Sequence, residues 1–139
     1  MSDTRKYKKD YRKWCLEKKY LNENAKHKRA KPGQVWWSKL GTNIGREQDG
    51  GKTFERPVVI LHRINYFLTL VAPLTSSEVE NLNPSSYIVL KEAKINSIVL
   101  LLQIRVISTK RLTRFIEQLT TSDYTIIIKK LSNFYKIHP

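Results

Sequence analysis

Cysteine is nearly missing from this chain. Cys15 is alone among 139 residues, so neither an intrachain disulfide nor a thiolate cluster for zinc can form, which fits a reducing compartment. No apolar run approaches the ~20 residues of a membrane-spanning helix, and no short apolar segment follows the basic start as a secretory signal requires. These absences predict a cytoplasmic protein without a membrane role. Histidine is scarce as well: His27, His62 and His138 stand far apart, none with a partner at ligand-like helical or hairpin spacing, so neither a metal site nor a cofactor is expected. Acidic residues are few, 12 Asp plus Glu against 26 Lys plus Arg, leaving a net charge of +14. Such an excess concentrates phosphate at the surface and gains affinity by releasing condensed counterions. A nucleic acid is the first partner class implied and an anionic membrane surface the second.

The length suits one domain with a proper core and little more. Charge is unevenly spread within it: residues 1–31 hold 12 basic and 4 acidic groups, net +8, and the longer remainder holds 14 and 8, net +6. In the basic segment Tyr7, Tyr11, Trp14, Lys18 and Leu21 recur at helical spacing beside Cys15, predicting a helix from about Thr4 to Leu21. Its aromatic stripe reads either as a face docked on the body or a dimer partner, or as a surface for bases. Asn22 to Lys31 is polar, and Pro32-Gly33 is a breaker pair. Residues 1–31 are therefore read as a basic helical arm and linker, and 32–139 as the functional domain.

From Gln34 the period changes. Val35-Trp36-Trp37, Pro57 to His62, Phe67 to Ala72, Tyr87 to Leu90 and Ile98 to Leu102 read as short strands, with Gln103 to Ser108 continuing after a bend. At the end, Tyr124, Ile127, Ile128, Leu131 and Phe134 or Tyr135 follow helical spacing, with Thr120 or Ser122 as N-cap and Asp123 in the favourable first turn. The fold class predicted is mainly β with helices: a small closed or half-closed barrel, a C-terminal helix and an added N-terminal helix.

The segments with most chemistry are Gly45-Arg46-Glu47-Gln48, a Gly-rich loop, Glu55-Arg56-Pro57 before an apolar strand, and Leu74-Thr75-Ser76-Ser77 after the next. With Gln103-Ile104-Arg105 and Lys110-Arg111-Leu112, this order resembles the MazF/PemK family of toxins over roughly residues 33 to 136. The resemblance implies an SH3-like barrel and a toxin of a type II toxin–antitoxin pair. Its activity would be metal-independent, sequence-specific cleavage of single-stranded RNA by attack of the 2′-OH. It also implies a homodimer whose interface groove takes RNA, and a cognate antitoxin with an acidic, partly disordered tail.

Arg56 is the first catalytic candidate, because a guanidinium offers a rigid fork of donors to phosphate oxygens; a structural salt bridge to Glu47 or Glu55 is the alternative. Thr75 is the second. Its hydroxyl can orient a ribose 2′-OH or a developing oxyanion, although Thr-Ser-Ser at a strand end also caps turns. The resemblance assigns RNA cleavage to Arg56 and Thr75. Glu47 is a candidate for proton transfer or for bracing Arg56, and Gln48 for a base edge or for bracing the loop. Arg46, Ser76, Ser77, Lys110 and Arg111 complete the RNA-contact candidates, each open to reading as a solvated charge or a cap. The glycines of the 41–54 loop suggest mobility over the site.

Two features depart from the family pattern. Some members carry an arginine and an aspartate as acid and base on the strand before the Gln-x-Arg motif, where this chain has Leu100 and Leu102. The basic arm is also missing from compact members. The competing function is a non-catalytic nucleic-acid or protein binder on the same barrel, including gyrase-poisoning relatives.

Overall fold

The computed structural model describes residues 8–76, 82–95 and 98–136. Helix α1 (Tyr11–Asn24) precedes strands β1 (Gln34–Lys39), β2 (Glu55–Arg63), β3 (Leu68–Thr75), β4 (Tyr87–Val89), β5 (Ile98–Leu100), β6 (Arg105–Ser108) and β7 (Leu112–Gln118), and helix α2 (Thr121–Phe134) follows. The described strands form one antiparallel sheet in the order β4-β5-β3-β2-β1-β7, with β6 also paired to β3. Strand β3 thus serves two partners: Leu68 to Val71 pair with β6, and Leu74 and Thr75 pair with β5.

The path β6-β3-β2-β1-β7 explains why the sheet curls. Its two edges are joined by Thr109–Arg111 alone. Five flat strands at ~4.8 Å spacing place their outer members ~19 Å apart, whereas the link from Ser108 to Leu112 reaches at most ~14 Å. The sheet therefore wraps into a half-closed barrel.

Alternation along the central strands divides the core in two. Val59, Leu61, Ala72 and Leu74 join Ile127 of α2 in one cluster, and Val58, Ile60 and Val71 join Ala30, Leu40, Ile107 and Leu112 in the other. Tyr124 Oη donates to the Leu61 carbonyl at 2.9 Å and fixes α2 on the sheet. Thr120 is its N-cap, accepting from the Asp123 amide.

Three expectations change. The arm helix begins at Tyr11, because the Asp10 carboxylate accepts the Lys13 amide as an N-cap, and it continues to Asn24; Lys8 to Asp10 are not helical, and Thr4 to Tyr7 lie outside the described residues. Strand β7 has no counterpart among the expected strands. The apolar run after Ile98 breaks at a single 3-10 turn, Leu101–Gln103, which redirects the chain into β6.

Candidate active site

The β2–β3 hairpin decides what meets Arg56. Its pairs include Val58↔Pro73, Val59↔Ala72 and Ile60↔Val71, and beyond them Arg56 reaches the Leu74 carbonyl, next to Thr75. Side chains alternate along a strand and paired residues share a face, so Arg56, two residues before Val58, and Thr75, four after Val71, lie on one face. Val71 also pairs with Arg105 of β6, which brings a second guanidinium to that face. In the sequence Arg105 stands out only as the end of the Gln103-Ile104-Arg105 motif. Its partnership with the hairpin depends on strand pairing and has no local signal.

Arg56 is half-buried and held on several sides. Its Nε donates to the Asp49 carbonyl at 2.7 Å and an Nη to the Leu74 carbonyl at 3.4 Å, next to Thr75. In the orientation that satisfies its surroundings, the Gln48 amide oxygen lies 2.8 Å from Nε and from one Nη, and 3.3 Å from the other. These acceptors are neutral, and together they orient the guanidinium. Bracing therefore falls to Gln48. Glu47 is exposed and uses Oε1 to accept the Ile44 amide at 3.1 Å, and Glu55 turns to Thr113 and Lys39 instead.

A cleft of about 440 Å³ opens beside this constellation. Val71 and Pro73 form its floor, Asn43, Glu47 and Gln48 one rim, and Leu102, Gln103 and Arg105 the other. Gln103 ties the rims together: its Oε1 accepts the Gln48 amide and its Nε2 donates to the Arg46 carbonyl, both at 3.3 Å. The Arg46 side chain is exposed at the loop tip. Leu102, at 49% exposure, presents an apolar side chain to the cleft, whereas Leu100 is buried.

Thr75 is buried to 6% exposure at the end of β3 and Ser76 is exposed beyond it; Ser77 lies outside the described residues. Lys110 and Arg111 are engaged with other elements. Lys110 Nζ donates to the Asn22 carbonyl in the last turn of α1 at 2.7 Å. Arg111 donates to the Lys39 carbonyl at 3.0 Å and stands 5.7 Å from the Trp14 ring centre. Burial and then repulsion from Arg105 lower its pKa from the usual guanidinium range to about 10, so it remains charged at neutral pH. Among the described residues, no three His, Cys, Asp or Glu side chains converge to hold a metal ion, and no helix is long and apolar enough to cross a membrane.

The loop over the site is tightly packed at its base, at Gly41 and Gly50, while residues 44–47 are exposed. Gly41 and Gly50 exchange a bond, Gly50 N–H to Gly41 O at 2.9 Å. A Cβ on Gly41 would meet the Trp14 ring at 2.0 Å, and one on Gly50 would meet the Phe54 backbone at 1.9 Å. Close approach thus accounts for both glycines, where the sequence suggested freedom to move.

Residues 31–135 match the family described as PemK-like, MazF-like toxin of type II toxin–antitoxin system. No curated protein sequence matches significantly. Among solved structures, the fold is similar to MazF of Deinococcus radiodurans, with a TM-score of 0.60 and 19% identity over 76% of this chain and 94% of that one. It is also similar to a mycobacterial endoribonuclease in complex with its cognate antitoxin, with a TM-score of 0.58 and 13% identity over 80% of this chain and all of that one. A MazE–MazF structure from Deinococcus radiodurans gives 0.56 and 17% identity, covering 78% and 97%. At these identities the likeness is one of fold.

Proposed function

The chain belongs to the PemK-like, MazF-like toxins of type II toxin–antitoxin systems, and from that premise we propose that it is an endoribonuclease that cleaves single-stranded RNA without a metal. The observation that carries this reading is the bond from Arg56 to the Leu74 carbonyl, next to Thr75, beside a cleft edged by Gln48 and Arg105. The 2′-oxygen attacks the adjacent phosphorus and the bond to the 5′-oxygen breaks. The 2′-hydroxyl proton passes to the Glu47 carboxylate, and the leaving oxygen takes one from water. Arg56 stabilises the charge that builds on the phosphate, and fixed donors act most strongly where charge develops. The Thr75 hydroxyl orients the 2′-oxygen.

Arg46 and Ser76, exposed on either side, contact the RNA backbone, and Lys110 and Arg111 add positive potential behind Arg105. The toxin body is residues 32–139, and residues 1–31 form an arm added to it. The protein works as a homodimer, and the acidic segment of a cognate antitoxin competes with RNA for the same basic cleft.

Incubating unstructured RNA with purified protein in excess EDTA tests this. The expected products end in 2′,3′-cyclic phosphate and 5′-OH. Ends carrying 5′-phosphate and 3′-OH overturn the mechanism. Tight RNA binding without cleavage would favour the non-catalytic reading, to which Leu102 in the cleft lends support.

A further inference from the structure

The arm reaches the loop that holds Arg56. Lys9 Nζ forms an ion pair with Asp49 Oδ2 at 3.3 Å and donates to the carbonyls of Asn43 and, at 3.1 Å, Gly45. An ammonium has three donors, and here three oxygens of one loop receive them. Asp49 is 2% exposed, and a carboxylate so buried needs compensating partners. Its Oδ1 accepts the Asn43 amide at 2.7 Å, and its own carbonyl accepts Arg56 Nε at 2.7 Å. One residue thus receives the arm on its side chain and the candidate catalytic arginine on its backbone. Around it, Tyr11 Oη donates to the Asn43 carbonyl at 3.2 Å, and Trp14 packs on Gly41 and on Phe54, 5.3 Å between rings.

We propose that Lys9 is a positioning residue: through Asp49 it sets the 41–50 loop and hence the direction of the Arg56 guanidinium. The role in catalysis rests on the reading of Arg56 given above. Displacing a catalytic group by ~1 Å can cost ~100-fold in rate, so a lysine that never touches the substrate can govern turnover. The geometry distinguishes this from RNA contact, because all three Lys9 donors are directed at the protein.

The test compares Lys9→Met and Lys9→Arg in the full chain. Lys9→Met should lower kcat about tenfold, a displacement smaller than the full ~1 Å case, with KM within about twofold. Lys9→Arg, which keeps a cation beside Asp49, should recover most of the loss. In an Asp49→Asn background, Lys9→Met should add little. If Lys9 contacts RNA instead, KM rises and the salt slope of binding shrinks by ~0.7, which overturns the proposal. Hydrogen exchange supplies a readout independent of RNA. The Asn43 and Gly50 amides, bonded to Asp49 Oδ1 and the Gly41 carbonyl, should exchange about tenfold faster in Lys9→Met, the free-energy equivalent of 1.4 kcal/mol. Unchanged exchange with unchanged kcat overturns the inference. If the wild-type protein cleaves no RNA, the functional reading fails, while exchange at these amides still decides whether Lys9 sets the loop.

Discussion

The two helices are of equal length, 14 residues each, yet they are held to the sheet by different chemistry. Helix α2 sinks Ile127 fully into the larger cluster, with Leu131 and Ile128 packed beside it. Helix α1 buries one residue, Trp14, and leaves Tyr11, Leu16 and Tyr20 exposed. Its attachment is otherwise largely polar, through Glu17 to Lys39 at 3.1 Å and the Lys110 bond to its last turn. Apolar burial is non-directional and resists salt, whereas partly exposed ion pairs contribute little and are screened. Helix α2 therefore maintains the fold, and α1 is an adjustable attachment on the side where the candidate chemistry lies.

The largest effect should come from Ile127→Ala. Deleting a fully buried isoleucine costs about 2–5 kcal/mol, so the whole domain should melt earlier in one transition. Retention of the wild-type midpoint would remove α2 from its place in the core. Arg56→Ala should do the reverse, lowering cleavage about 100-fold, or about 3 kcal/mol in activation free energy, with little change in the melting midpoint. Thr75→Ala should lose less, because water can replace a hydroxyl in part; an equal loss would make threonine the principal group. If Arg56→Ala unfolds the protein, the arginine is structural.

Trp14→Ala separates the helices more sharply. Its loss removes the one buried side chain of α1, and an isolated 14-residue helix is marginal in water. Far-ultraviolet circular dichroism should lose the α1 contribution while the main transition shifts by less than for Ile127→Ala. A shift as large would mean that the arm and the barrel share one core.

This division was half legible in the sequence. Helix α2 announces itself through local signals, an apolar stripe from Tyr124 to Leu131 and a cap at Thr120 or Ser122, of which Thr120 is the one used. In α1 the aromatic spacing that includes Tyr7 competes with Asp10, whose capping carboxylate sets the start at Tyr11. Strand β7 escaped notice because Leu112 to Gln118 carries Arg114 and Glu117 and alternates poorly; it lies at the sheet edge and pairs with β1 through two register shifts. At the site, residue types were readable but their directions were not. Glu47 and Gln48 are neighbours, and only the folded loop decides that the amide meets Arg56 while the carboxylate accepts the Ile44 amide. Lys110 and Arg111 read as charges for RNA, yet contacts distant in sequence turn them toward α1 and Lys39.

The smallest effect concerns the hydroxyls that pin α2. Burial raises the pKa of Tyr124 and of Tyr135 above the usual 10.0, and both donate to backbone carbonyls, of Leu61 and Leu101. A raised folded pKa means that the folded state keeps its proton where the unfolded state has begun to lose it. Stability from these groups is therefore complete below the ordinary tyrosine range and falls as pH rises through and above 10. Tyr124→Phe removes one such bond at a cost of about 1 kcal/mol at neutral pH, and it should flatten the alkaline fall in the melting midpoint. Arg111 acts in the opposite sense, because its lowered pKa lessens the penalty of burying charge as pH rises through about 10. The two helices should thus respond differently to alkali: α2 loosens as its tyrosines ionise, while the Arg111 contribution beside Trp14 moves toward stability. Following α1 through Trp14 fluorescence in a Trp36→Phe, Trp37→Phe background, and α2 through amide exchange at Ile127, between pH 8 and 11 would separate them; parallel loss at both probes would show that the helices are not independently held.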